Sequence, residues 1–161
     1  MIMKKTSWIL LVIWSLVIGG CQQANQVPCT QTAVITKAPD GEINAVKQFV
    51  ETSRINAKAD SRGFYYTIQS AGTGTKPTVC SNVTVNYTGK LTNGKVFDSA
   101  EGIRFDLNQL IVGWQEGIPL VAPGGKITLY LPPSLAYGAQ EQNDIPANSI
   151  LVFEIDLINV N

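Results

Sequence analysis

Apolar positions fall into two rhythms along the chain, and the change between them marks its main division. Ile43, Val46, Phe49 and Val50 recur at helical spacing just after Pro39. That spacing predicts a helix of about 17 residues, with Asp40 as N-cap and Glu42 in the first turn, fading by Lys58. Asp60-Ser61-Arg62-Gly63 closes this N-terminal helical region at residues 40–62. From Phe64 the rhythm is that of strands. Phe64-Tyr65-Tyr66-Thr67-Ile68 is β-rich, and Val83, Val85 and Tyr87 alternate with Thr84, Asn86 and Thr88. Asn93-Gly94 is a strong hairpin signal joining Thr88–Leu91 to Val96-Phe97. Ile127, Leu129 and Leu131 share one strand face. Leu151, Phe153, Ile155 and Leu157 share another, with Glu154 and Asp156 opposite. Between these strands, Trp114, Ile118 and Val121 mark one short helix that Pro119 limits and Pro123-Gly124-Gly125 stops. The predicted fold is α+β: an antiparallel β-sheet wrapped around one short α-helix at residues 63–161, preceded by the N-terminal helix.

The start of the chain reads as an address. Lys4 and Lys5 precede an apolar stretch from Trp8 to Ile18 broken only by Ser15, and Gly19-Gly20-Cys21 follows. So short a stretch falls below the ~20 residues a membrane-spanning helix needs. Cys21 after Ile18-Gly19-Gly20 resembles the lipobox of bacterial lipoproteins, which implies a signal peptide at 1–20, cleavage before Cys21 and lipidation of that residue. Residues 21–39 are then a lipidated tether, polar through Gln22-Gln23-Ala24-Asn25-Gln26. Each buried acyl methylene contributes about 0.8 kcal/mol, so two or three chains hold a domain on a membrane. Gln22 is not the aspartate of the enterobacterial inner-membrane retention pattern, which favours the outer membrane, facing the periplasm. In an exported chain the remaining cysteines, Cys29 and Cys80, stand either as a disulfide tying the arm to the domain or as two small unpaired hydrophobes.

Composition narrows the chemistry. The 161 residues are 45% hydrophobic and 15% charged, enough for one packed domain. Basic and acidic residues number 12 each; loss of residues 1–20 removes two lysines and no acid, leaving a net charge of −2 and no nucleic-acid footprint. The chain has no histidine, which excludes Ser-His-Asp and Cys-His catalysis and His-ligated zinc. Gly72-Thr73-Gly74 lacks a third glycine and a following helix, so it reads as a turn and not a phosphate loop. Asp144, Glu141 and Glu154 show no paired spacing, and neither a metal nor an organic cofactor is expected.

The aromatics are more informative. Tyr87, Phe97, Trp114, Tyr137 and Phe153 lie on five separate elements, and a sheet folded over a helix can bring them to one apolar basin. Asp98, just after Phe97, needs water or a hydrogen-bond partner and so suggests an open rim.

Four stretches carry a family resemblance: Val85-Asn86-Tyr87-Thr88-Gly89-Lys90-Leu91 with Asn93-Gly94-Lys95-Val96-Phe97-Asp98-Ser99; Leu107 through Gly117; Leu131-Pro132-Pro133-Ser134-Leu135-Ala136-Tyr137-Gly138; and Ile145 through Phe153. In this order they resemble the FKBP-type peptidyl-prolyl cis–trans isomerases over about residues 64–160. The resemblance implies Trp114 as pocket floor and Tyr87, Phe97, Leu110, Ile111, Tyr137, Ile145 and Phe153 as walls. Asp98 would sit at the rim, and the Tyr137 hydroxyl and Ile111 N–H would bind the peptide backbone. Of these, Tyr87, Phe97, Asp98, Trp114 and Tyr137 are the expected catalytic set. Leu110, Ile111, Ile145 and Phe153 are the expected substrate contacts. The implied substrates are proline-containing unfolded or partly folded polypeptides, with macrolide inhibitors as possible ligands. The alternative is a non-catalytic chaperone module that holds prolyl segments in the same pocket. Two departures bear on the site. The segment Ser99–Arg104 is shorter than usual, which puts one aromatic wall in question and leaves Arg104 as a candidate partner for Asp98. The polar flap Gln140–Asn143 is slightly trimmed.

Overall fold

A computed structural model describes residues 34–161. The expected signal peptide, the lipidation site at Cys21 and Cys29 lie outside the described residues. Helix α1 (Asp40–Thr52) leads into the short edge strand β1 (Lys58–Ala59) and then β2 (Tyr65–Ser70), β3 (Asn82–Leu91) and β4 (Val96–Asp106). A short 3-10 turn precedes helix α2 (Val112–Gly117), and strands β5 (Gly125–Leu131) and β6 (Leu151–Val160) follow. The six strands form one antiparallel sheet in the order β1-β2-β5-β6-β3-β4. The last strand in chain order therefore sits inside the sheet, between β5 and β3.

Alternation along the strands assigns the two faces. Ile127, Leu129 and Leu131 of β5, Leu151, Phe153, Ile155 and Leu157 of β6, and Val83 and Val85 of β3 all belong to the main core with Trp114 and Ile118. Helix α2 lies close against β5 because Gly113 and Gly117 have no side chains. A Cβ at Gly113 would come 2.5 Å from Leu131 Cδ1, and one at Gly117 would come 2.5 Å from Leu129 Cδ1. Pro119 lacks a backbone N–H, and the chain passes from α2 directly into a 3-10 turn at Ile118–Leu120. On the opposite face, Val46 and Val50 of α1 pack with Tyr130 in a smaller second core.

Helix α1 differs from expectation at both ends. It has 13 residues, and Asp40 is its first helical residue with Pro39 in the N-cap position. The Asp40 carboxylate pairs with Lys37 at 3.2 Å and makes no side-chain cap. The helix stops at Thr52 by a Schellman arrangement. Ile55 N–H donates to Val50 O at 2.9 Å, Arg54 N–H donates to Glu51 O at 3.1 Å, and Arg54 takes φ 54°. Ile55 then packs beside Val50 in the second core. The region 40–62 is thus a helix followed by strand β1 and a turn, not one helix. Strand β4 also continues well past Phe97: Ser99–Arg104 is not a connection but a ladder opposite β3.

Cys80 is disulfide-bonded, so it is not one of two unpaired thiols.

Candidate active site

Between α2 and the ends of β3, β4 and β6 lies a cavity of about 220 Å³ lined by Tyr87, Asp98, Phe105, Leu110, Ile111, Trp114, Tyr137 and Phe153. Trp114, 4% exposed, forms its floor. Three rings stand edge-on to the indole: Tyr87 at 5.1 Å between centroids and 81°, Phe153 at 5.3 Å and 89°, and Phe105 at 6.0 Å and 83°. Such edge-to-face packing presents positive ring edges to negative faces and holds the rings at fixed angles.

The Trp114 indole N–H is buried and has no hydrogen-bond partner among the described residues. Around the rim, the polar groups face open space. The Tyr87 hydroxyl donates to Asp98 Oδ2 at 2.6 Å. Burial, followed by this bond and the Asp98 charge, raises the Tyr87 phenol well above its usual value, so it stays a donor. Burial and the same carboxylate raise Tyr137. Backbone register explains the Tyr87–Asp98 contact: Tyr87 lies opposite Ala100, so Asp98 is its diagonal neighbour across the strand pair. A bulge at Gly102 sets that register. Gly102 has φ 61°, and its N–H donates to Asn86 Oδ1 at 2.7 Å. On the α2 side, Gln115 Nε2 donates to Leu110 O at 2.7 Å and pins the loop that carries Leu110 and Ile111.

Seven of the nine residues expected at the site line this one cavity. Phe97 and Ile145 line instead an adjoining cavity of about 260 Å³, with Asp98, Tyr137 and the flap residues Gln142, Asn143 and Asp144. The Phe97 ring stands edge-on to Phe153 at 5.6 Å, over Gly89. A Cβ at Gly89 would lie 2.6 Å from the Phe97 ring and 2.9 Å from that of Phe153, so the missing side chain is what admits both rings.

Two expectations about the shortened segment change. Phe105, opposite Val83 in β4, supplies the aromatic wall that was in question. Arg104 does not serve Asp98, whose partner is Tyr87. It sits opposite Thr84, about 15–20 Å farther along the strand at ~3.3 Å per residue. The spacing Phe105-x-Leu107, both packed in the main core, was the available signal for Phe105.

A larger groove of about 480 Å³ runs along Asn86, Tyr87, Thr88, Ser99, Ala100, Glu101, Glu154 and Asp156, and its lining is mainly polar. Among the described residues no group of three or more His, Cys, Asp or Glu could hold a metal.

The family model for FKBP-type peptidyl-prolyl cis-trans isomerases matches residues 73–158. The chain belongs to that family. It is 43% identical over 107 residues to the FKBP-type peptidyl-prolyl cis-trans isomerase FkpA of Aeromonas hydrophila, an overlap of 64% of this chain and 40% of that protein. Among solved structures, FkpA from Escherichia coli superposes with a TM-score of 0.69 at 38% identity, covering 75% of this chain and 60% of that one. The peptidyl-prolyl cis-trans isomerase of Pseudomonas syringae gives 0.67 at 34% identity, covering 78% and 98%. The chain spans less than half the length of the curated relatives it matches.

Proposed function

We propose that this protein is a peptidyl-prolyl cis–trans isomerase that rotates X-Pro bonds in exported polypeptides, and that the Trp114 cavity is where rotation occurs. The observation that carries this is an aromatic basin, three rings edge-on to one buried indole, with the Tyr87–Asp98 hydrogen bond beside it. Family membership supports the same reading.

Rotation about a prolyl amide meets a barrier of about 18–20 kcal/mol because it breaks the C–N resonance. Water stabilises the planar, charge-separated amide more than the twisted one. A prolyl ring seated on Trp114 leaves that water behind, so the planar form loses more than the transition state does. In this reading the Tyr137 hydroxyl and the Ile111 N–H hold the peptide backbone while its amide turns. Asp98, engaged by Tyr87, fixes that wall of the basin. No proton transfer is needed, which suits a chain without histidine.

The test is an isomerisation assay on a short prolyl peptide, with and without a macrolide inhibitor. Catalysis that the inhibitor suppresses is expected; a rate equal to the uncatalysed background at micromolar protein overturns the enzyme reading and leaves the prolyl-binding module.

The lipobox resemblance supports anchorage through a lipidated Cys21, at the outer membrane and facing the periplasm. Cys21→Ser is expected to move the protein from the membrane to the soluble fraction; unchanged fractionation removes the anchor. No helix among the described residues is long and apolar enough to cross a membrane.

A further inference from the structure

Helix α2 has a second buried side chain that the isomerase chemistry does not use. Two residues beyond Trp114, the Glu116 side chain is 0% exposed, and neither carboxyl oxygen has a hydrogen-bond partner among the described residues. It borders a cavity of about 100 Å³ whose walls include Val34, Arg62, Val79 and Pro119.

The groups facing it come from three directions. From the turn after β1, Arg62 Nε stands 4.0 Å from Glu116 Oε2 but is already committed: it donates to Asp60 Oδ1 at 2.7 Å, and Nη2 donates to Asp60 Oδ2 at 2.9 Å. Asp60 itself adds a like charge. From the arm at residues 34–39, the Thr36 backbone faces the carboxyl and favours its charged form, though neither oxygen closes a full hydrogen bond. From the remaining wall, Pro77, Thr78 and Val79 bring no charge, and Cys80 beyond them is disulfide-bonded. The arm is seated by Val34 and Ala38, both buried, and by Ala38 N–H donating to Arg62 O at 2.8 Å. Arg62 also donates from Nη2 to the Glu116 carbonyl at 3.3 Å, so one arginine joins arm, turn and α2.

The geometry points to Glu116 as a positioning residue: its buried carboxyl links its own protonation to the seating of the 34–38 arm and, through Arg62 and α2, to the set of the Trp114 floor. Burial pushes this carboxyl up to about 7, with Arg62 the main opposing influence. Below that value it is neutral under the arm. Above it, the charge has only the Thr36 backbone and an Arg62 already bonded to Asp60 to meet it, so water enters the cavity or Arg62 leaves Asp60, and either loosens the arm. The sign follows from proton counting. Between the ordinary carboxyl value of 4.5 and about 7 the seated form holds a proton that the unseated form has lost. Seating therefore weakens as pH rises through that window and is constant above it.

The coupling to Trp114 rests on the isomerase reading; the seating does not. Hydrogen exchange at the Ala38 amide in the full chain tests it, expressed as a protection factor so that intrinsic pH dependence is removed. In the wild type the factor is expected to fall by at least about tenfold from pH 5 to pH 7 and then level off. In Glu116→Gln it is expected to stay flat. KM for a prolyl peptide should rise through pH 7 in the wild type and not in the variant. A carbon-13 titration of the wild-type Glu116 carboxyl gives the same answer should the variant fail to fold. Identical Ala38 profiles in the two proteins, or a carboxyl that finishes titrating below pH 5, overturns the assignment. A protein inactive at every pH removes the isomerase reading, while exchange and titration still decide the link between Glu116 and the arm.

Discussion

The two faces of the sheet bury apolar groups by different means. On the α2 face, glycines bring backbone against side chain: Gly113 on Leu131, Gly117 on Leu129, Gly89 beneath Phe97 and Phe153. The rings that meet Trp114 there stand edge-on to it at near right angles. On the α1 face, two valines and a half-buried Phe49 rest against Tyr130, with Phe49 tilted at 53° and 6.4 Å away. The first face has no slack and encloses a cavity of defined shape; the second is ordinary amphipathic packing that asks only for apolar volume. Close backbone approach is thus what shapes the wall of the site, and α1 stabilises the sheet from behind.

That contrast can be broken by experiment. Trp114→Ala removes the floor and should have the largest effect, about 3–5 kcal/mol of stability and most of the isomerase activity, measured by denaturant unfolding and the peptide assay. A variant that kept full activity would show that the basin is packing alone. Val46→Ala, fully buried beneath α1, should cost about 1.5–2.5 kcal/mol while kcat/KM stays within about twofold. An equal fall in activity would mean the two faces are not separable. The smallest effect concerns a polar link between them. Glu42 of α1 accepts the Ser134 N–H at 2.8 Å, in the loop that leads to Tyr137. Glu42→Ala should cost under about 1 kcal/mol and show mainly as a modest rise in KM.

The parts legible in the sequence were those with a strict period or an obligatory turn residue. The β6 face, with Leu151, Phe153, Ile155 and Leu157 buried and Glu154 exposed, follows its alternation. The hairpin at Asn93-Gly94 forms with Gly94 at φ 85°. The end of α1 was not legible because Arg54, and not glycine, takes the left-handed position, so no residue type announced it. Most of β4 was hidden for a related reason. It is an edge strand, exposed along most of its length, and the bulge at Gly102 breaks what alternation it has. Phe105 lies beyond that bulge, and its place in the cavity depends on a register that composition does not encode. Glu116 was invisible as a buried acid, because a glutamate on a six-residue helix reads as its solvent face.

The interior position of β6 has a consequence for timing. Strands β3 and β5 do not pair with each other; each pairs with Leu151–Val160. A chain delivered N-terminus first, whether by a ribosome or through a membrane pore, thus emerges with Trp114 lacking the Phe153 ring and its two half-sheets unjoined. Until those last strand residues arrive, most of the long-range pairing that makes this topology slow to form is still to come. A protein proposed to relieve slow steps in the folding of others must therefore wait for a strand made after both of the strands it joins.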